Sequence, residues 1–367
     1  RAVLKIIALS RKIFTSSMQV NVRDGLQLQR LIDLGVLPVR RHTASGIAPH
    51  ISILFRKDGP KLFGIDTTPA HSNANSNSNG NMPSAYFITH AHSDHYGRSA
   101  MRSKRAVASN KTARALEIRC GREFTGKTFS TGEIVCVDGV EVKTFDTYHT
   151  IGSSAFFWEN EAGTKILATG DVKDFSALPK CDVLIMEATY GDPFDRNCCF
   201  DEELDHFKNA ICGEVAFGAY SFGKAQRAVQ LLREFGYRDC IEMSEEAFFL
   251  TKQLMDGAEP IAMLGEKSSG LCVVSPRDLD SLSHTRKFIL TAQSFYRHGR
   301  IRISDHLDFR GLLQMIGHCS PEFVIVYHPA SMTSAKFAQY LNNNGLPAIS
   351  TCEIDDILEE RILGKFY

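Results

Sequence analysis

No stretch of this 367-residue sequence approaches the roughly 18 consecutive apolar residues that a membrane-spanning helix needs, so an integral helical membrane protein is excluded. CxxC pairs are also missing. The ten cysteines are scattered at 120, 136, 181, 198, 199, 212, 240, 272, 319 and 352. That dispersal argues against a disulfide framework or a thiolate zinc site, and reads as reduced thiols of a cytoplasmic protein. The adjacent Cys198 and Cys199 read as packing or surface residues. Neither sign of charge is in excess, 42 Lys and Arg against 42 Asp and Glu, so the overall field announces no polyanionic partner. No small-residue cleavage site follows the basic, patchily apolar start. Residues 1–17 therefore read as a peripheral segment ahead of a start at Met18.

What the chain does have is length enough for a large core, in one elaborated domain or two compact ones. It also has a concentration of histidine. Directly after the apolar run Ala85-Tyr86-Phe87-Ile88, the segment His90-Ala91-His92-Ser93-Asp94-His95 carries three imidazoles and a carboxylate in six residues. Imidazole nitrogen and carboxylate oxygen are the usual ligands of hydrolytic zinc. This spacing lets His90 with His92, and Asp94 with His95, face two adjacent ions. Immediately downstream, nine basic residues between Arg98 and Lys127 stand against Glu117 and Glu123, a local net charge of 9 − 2 = +7 that can draw phosphates in.

Short apolar runs alternate with helical patterns along the chain, which predicts an α/β architecture. A Lys57-Asp58-Gly59-Pro60 turn between two apolar runs predicts a hairpin within 51–66. The Asn/Ser-rich tract 71–81 can bury nothing and reads as a loop inserted between strands. From about Asp192 to Arg297 the helical stretches lengthen, predicting an inserted or second domain. Further ligand candidates stand where apolar runs end: His149 before Ile151-Gly152-Ser153-Ser154, Asp171 in Ala168-Thr169-Gly170-Asp171, and His328 after Val324-Ile325-Val326-Tyr327. Ser221 and Lys224 flank Phe222-Gly223 at the opening of a helix, where free N–H groups and the dipole favour a substrate phosphate.

With these segments in place, the sequence resembles the metallo-β-lactamase superfamily, and within it the β-CASP nucleases. The resemblance rests on the HxHxDH segment at 90–95, His149 in His-Thr-Ile-Gly-Ser, Gly170-Asp171 after a strand, Glu187 in Glu-Ala-Thr-Tyr-Gly, Ser304-Asp305-His306, and His328 after the last of these strands. All occur in family order over roughly Ile51 to Asn342. The segments Cys181 to Gly191, Tyr220 to Gln226 and Ile303 to Phe309 look most like the branch of ligase-associated DNA exonucleases and messenger-RNA 3′-end-processing-factor-like proteins.

The resemblance implies a four-layered αββα sandwich built from residues 18–191 and 298–367, with residues 192–297 as an α/β cap that clamps nucleic acid against the metals. It implies two zinc ions, one held by His90, His92 and His149, the other by Asp94, His95 and His328, with Asp171 between them. Manganese can occupy the same ligands. Glu187 and His306 match an accessory pair, His306 contacting the scissile phosphate or protonating the leaving oxygen, oriented by Glu187. Asp94 is then catalytic as well as a ligand. Water serves as nucleophile, so no Ser or Cys is needed. The function implied is phosphodiester hydrolysis in DNA or RNA, from an end, in nucleic-acid repair or processing, by a protein that admits a homodimer. No KH or OB module is appended to choose RNA over DNA. Two alternatives stand beside it: hydrolysis of a small ester, amide or thioester, and a non-catalytic scaffold for a processing partner. Degenerate ligands would mark the scaffold, and none of the seven is degenerate.

Overall fold

The computed structural model describes residues 22–43, 46–67, 83–96, 100–266, 270–284, 286–293, 297–327 and 332–352. The peripheral start expected at 1–17, the tract 71–81, Arg98 and His328 lie outside these ranges.

Three sheets and seven α-helices make up the described chain, the mixed α/β architecture expected. The first sheet orders β1 (Val36–Thr43), β2 (Gly46–Arg56), β3 (Pro60–Ile65), β4 (Ala85–Phe87), β5 (Ala106–Ser109) and β6 (Lys127–Phe129) in sequence. Next come β7 (Ile134–Val137), β8 (Val140–Asp146), β9 (Ser154–Glu159), β10 (Lys165–Ala168) and β11 (Val183–Glu187). A third sheet follows, made of β12 (Val215–Gly218), β13 (Ile241–Met243), β14 (Ile261–Met263), β15 (Leu271–Val274), β16 (Lys287–Leu290) and β17 (Gly299–Ile301). The last strands, β18 (Phe323–Tyr327) and β19 (Ala348–Ser350), return to the second sheet, whose order is β19-β18-β11-β10-β9-β8-β7.

Local chemistry explains the boundaries. The β2–β3 hairpin turns through Asp58 and Gly59 at φ +50° and +115°, with the Lys57 N–H donating to the Gly59 carbonyl at 2.8 Å. β11 and β18 pair in parallel and are buried along their whole length, which is why Val183-Leu184-Ile185-Met186 and Phe323-Val324-Ile325-Val326 are unbroken apolar runs. Helix α1 (Val22–Asp33) precedes the first sheet. Helix α2 (Asn110–Cys120) starts where Ser109 Oγ accepts the Thr112 N–H and stops at Gly121, φ +61°, whose N–H reaches the Glu117 carbonyl. Helices α3 (Leu204–Ala210), α4 (Lys224–Glu234) and α5 (Glu245–Leu254) intervene among the strands of the third sheet, and α6 (Phe309–Cys319) and α7 (Thr333–Asn343) flank β18.

Packing sets the layers. Phe55, Phe63 and Phe87 of the first sheet meet Phe156 and Trp158 of the second in one buried cluster, with ring centroids 4.7–5.8 Å apart. On the far side of the second sheet, Leu184, Met186, Val324 and Val326 pack on Leu312 and Met315 of α6 and Phe337 and Leu341 of α7. On the far side of the first, Leu28 and Ile32 of α1 cover Leu37, Val39, Leu54 and Leu62. The third sheet is wholly parallel, ordered β14-β13-β15-β12-β16-β17, with a separate core in which Phe207, Val229, Leu232 and Phe248 cover Phe217, Ile241 and Val273. Its edge strand β17 ends at Ile301 and pairs in parallel with β16.

Phe63 is fully buried where the two sheets face each other. Phe63→Ala should therefore cost about 3–5 kcal/mol, read as a fall in the urea midpoint; a loss below about 1 kcal/mol would mean that the sheets do not share this core.

Candidate metal centre

The histidine-rich loop leaves β4 and is held in place from below by a carboxylate that the sequence pattern alone does not single out. Asp66 ends β3 in a left-handed conformation, φ +52°, and is buried. Its oxygens accept the Thr89 N–H at 2.8 Å and the Thr89 hydroxyl at 2.7 Å, and face His95 Nδ1 at 3.1 Å. A signal for it does exist, since an Asp closing the apolar run Leu62-Phe63-Gly64-Ile65 is the same pattern that points to Asp171.

Three imidazoles converge above this anchor, and their hydrogen bonds fix which nitrogen faces inward. The Thr89 hydroxyl donates to Asp66, so at 3.0 Å it can only accept from His90 Nδ1–H. His92 Nε2–H donates to the Phe222 carbonyl at 3.1 Å, and His149 Nδ1–H to the Asp305 carbonyl at 2.8 Å. The inward atoms are then His90 Nε2, His92 Nδ1 and His149 Nε2, all bare lone pairs. Yet His92 Nδ1 lies 3.1 Å from each of the other two. Three acceptors cannot satisfy one another at that distance, whereas a cation at their centre satisfies all three. Asp171 completes the set: the four donor atoms lie within 4.8 Å of one another. The residues present fit a divalent ion of the nitrogen- and oxygen-binding class.

Asp171 also joins this group to the rest of the site. Its Oδ2 lies 3.6 Å from His90 Nε2, 3.4 Å from both His95 Nε2 and His149 Nε2, and 3.8 Å from His306 Nδ1. Gly170 before it adopts φ +64°, and a Cβ there would come within 2.6 Å of Thr89, so only glycine lets the β10 end approach the loop this closely. Asp171, Glu187 and His306 form a second group of closely spaced donors. Glu187 Oε1 receives His306 Nδ1 at 3.1 Å, and its Oε2 accepts the Thr189 N–H at 2.7 Å.

The remaining expected residues fall out unevenly. Asp94 is mostly exposed, 4.0 Å from His95 Nε2, and its carbonyl receives a hydrogen bond from His50. His328 is outside the described residues, but β18 delivers Tyr327 to within 6.4 Å of the His95 ring, ring centre to ring centre. Ser221 contributes its carbonyl to Gln226, with no side-chain contact that marks a phosphate site. Lys224, the other residue expected at a substrate phosphate, meets partners within the protein. It is buried, with its ammonium 3.3 Å from Asp305 Oδ2 and 3.1 Å from the Ile303 carbonyl. Because the Asp305 carbonyl orients His149, Lys224 braces a residue that holds one of the candidate ligands in place. The basic flank is partly neutralised in the same way, Arg119 meeting Glu246 of α5 at 3.0 Å and Arg114 meeting Glu117 at 2.9 Å.

Burial, reinforced by neighbouring imidazoles, holds His90 and His149 well below the ordinary range and takes His92 down to about 4. These three therefore stay neutral and ready to ligate at physiological pH. Burial also opposes a charge on His95, yet Asp171 and the Asp66 hydrogen bond outweigh it and push His95 up to about 10. Burial pushes Asp171 up to about 6, with His95 pulling against it and Glu187 adding to it.

No family model matches the sequence. The chain is similar to an RNase J-like protein of Methanocaldococcus jannaschii, 27% identical over 113 residues, which cover 27% of this chain and 27% of that protein. It is also similar to an uncharacterized protein encoded in the lig 3′ region of Acidianus ambivalens, 28% identical over 115 residues, covering 29% of this chain and 81% of the relative. Among solved structures, a protein of unknown function from Enterococcus faecalis shares the fold at a TM-score of 0.59 and 12% identity, covering 85% of this chain and 97% of its own.

Where His95 Nε2 serves as a ligand, as the sequence leads one to expect, cation uptake at pH 8 displaces the proton held there, because that atom can ligate only when bare. Titration calorimetry in buffers of different ionisation heat should show about one proton released per loading event. The sign follows from the shift: a histidine raised above 6.5 keeps its proton-linked stabilisation below that pH and loses it as pH rises through about 10. Cation affinity should accordingly strengthen with pH across this window, and a heat independent of buffer would contradict the assignment.

Proposed function

We propose that the chain is a dinuclear-zinc phosphodiesterase acting on nucleic acid, a β-CASP member of the metallo-β-lactamase superfamily, and an exonuclease in character. The observation that carries this reading is the geometry of the centre: three inward lone pairs and a shared carboxylate oxygen, with a Glu–His pair beside them. The packing supports an αββα sandwich with the parallel third sheet as its cap, spanning about 192 to Ile301. The name of the Methanocaldococcus relative supports a nuclease.

In this reading one ion is held by His90, His92 and His149, the other by Asp94, His95 and His328, with Asp171 between them. When bound, the two ions lower the pKa of a water toward about 7 and offset charge on the attacking and leaving oxygens of an in-line phosphoryl displacement. The chain's own residues supply the rest. Burial opposes a charge on His306, but Glu187 and then Asp171 raise its proton affinity, which favours the doubly protonated imidazole. Nδ1–H is committed to Glu187 Oε1, which leaves Nε2–H to donate to the leaving oxygen. Glu187 remains ionised, since the His306 charge and the hydrogen bonds from His306 and Thr189 overcome its burial and take it down to about 2. It therefore orients the imidazole without competing for the proton.

Purified protein loaded with zinc or manganese should hydrolyse end-labelled single-stranded DNA or RNA and lose the activity on chelation. His306→Ala should lower the rate by roughly 10²–10⁴-fold, and Asp94→Ala should lower it through loss of metal. Full phosphodiesterase rates in both variants would rule the mechanism out. Turnover of a thioester or an activated amide in place of either oligonucleotide would instead establish the small-substrate alternative.

A further inference from the structure

Beside the metal centre lies a cleft of about 510 Å³ that the metal ligands themselves do not account for. Its walls are the start of α2, the turn between β6 and β7, the loop leaving β8, and Gln230 of α4. Thr150, which lines it, directly follows the ligand His149, and the Thr150 methyl and His92 Nε2 lie 3.0 and 3.4 Å from the point where a Cβ on Gly223 would stand. The cleft therefore opens within one residue of the metal donors.

Three features of this cleft suit a ligand. Tyr148 holds φ +53° and is 56% exposed, its ring packed against no other ring among the described residues. A bulky aromatic residue is costly in the left-handed region and gains little from burial here, so the position is unfavourable unless the ring has another partner. The Tyr148 N–H donates to Asp146 Oδ1 at 2.7 Å, and the Asp146 carboxylate, which also lines the cleft, is stabilised by the Lys111 charge. Lys111 is exposed in the first turn of α2 and makes no ion pair within 4 Å among the described residues, unlike Arg114 and Arg119 further along the same helix. Thr150 is 6% exposed, and its hydroxyl has no hydrogen-bond partner among the described residues.

A flat π-face and an exposed cation on one cleft match a nucleotide: a base for the ring, a phosphate for the ammonium. We propose that this cleft binds one nucleotide of a single-stranded substrate adjacent to the scissile position, its base stacked on Tyr148 and its phosphate held by Lys111. Single-strandedness follows from the stacking, because a paired base does not offer a free face. The inference rests on the nuclease reading above and adds to it a residue that senses the base.

Fluorescence anisotropy on chelated protein tests the site without turnover, using two probes: a short oligothymidylate, and a phosphodiester chain of the same length built from abasic spacers. Wild type should bind the base-bearing probe roughly tenfold more tightly, the scale of one base–aromatic stack. Tyr148→Ala should erase that preference, and Tyr148→Phe should keep it, which separates loss of stacking from a disturbed loop. Lys111→Gln should weaken both probes alike and flatten the salt dependence by roughly 0.7 in the log–log slope, the change for one fewer phosphate neutralised. A Tyr148→Ala protein that retains the wild-type preference overturns the site even if the wild type cuts nucleic acid. A wild type that neither binds nor cuts either probe overturns the nuclease reading, and the site with it.

Discussion

Three imidazole lone pairs aimed at one point repel each other, and the rest of this structure is arranged to hold them there. The inward nitrogens of His90, His92 and His149 meet at 3.1 Å because each ring is fixed from behind by an oxygen that accepts its other N–H. Those oxygens come from three different places: Thr89 in the loop itself, Phe222 at the entry to α4, and Asp305 ahead of α6. The loop after β4 alone could therefore not fix the three rings. The Phe222 carbonyl sets the tautomer of His92, and Gly223 beside it leaves space that a side chain would fill.

The scaffold stabilises this arrangement by layering. Two sheets share an aromatic core, so the ends of β3, β4, β10, β11 and β18 open on the same edge, and Asp66, the histidine loop, Asp171, Glu187 and Tyr327 emerge together. Asp66 binds Thr89 twice and faces His95, tying the first sheet to the loop. Gly170 allows β10 to approach Thr89 more closely than any side chain would permit. Placing the carboxylates on strand ends rather than on long loops limits how far the converging groups can relax apart.

Much of this is legible in the sequence because the same local sign recurs: an apolar run that stops at a titratable residue. That sign locates the loop at 90–95, His149 and Asp171, and it fits Asp66, which escapes notice only because a lone Asp after a hairpin has many ordinary uses. The strands at 134–137 and 140–146 alternate exposed and buried positions, and 183–187 is an unbroken apolar run, local patterns that a sequence does show. What sequence cannot show are pairings across distance. Lys224 reads as a cation at a helix start, and the fold brings it to Asp305, which is 81 positions away (305 − 224). Arg119 reads as part of a basic flank, and it proves to pair with Glu246 where α2 meets α5. β17 sits with the third sheet because of a parallel partner that no local pattern announces. Tyr148 gives no signal at all, since its meaning lies in a backbone angle and an exposed ring.

The central claim concerns which atoms face the cation, and anomalous scattering from crystals of the zinc-loaded protein tests it directly. The account requires a peak bounded by His90 Nε2, His92 Nδ1, His149 Nε2 and the Asp171 carboxylate, with His92 alone ligating through Nδ1 because Phe222 occupies its other nitrogen. A map with no peak among these four residues, or one in which His92 has released Phe222 and turned Nε2 to the metal, would contradict it.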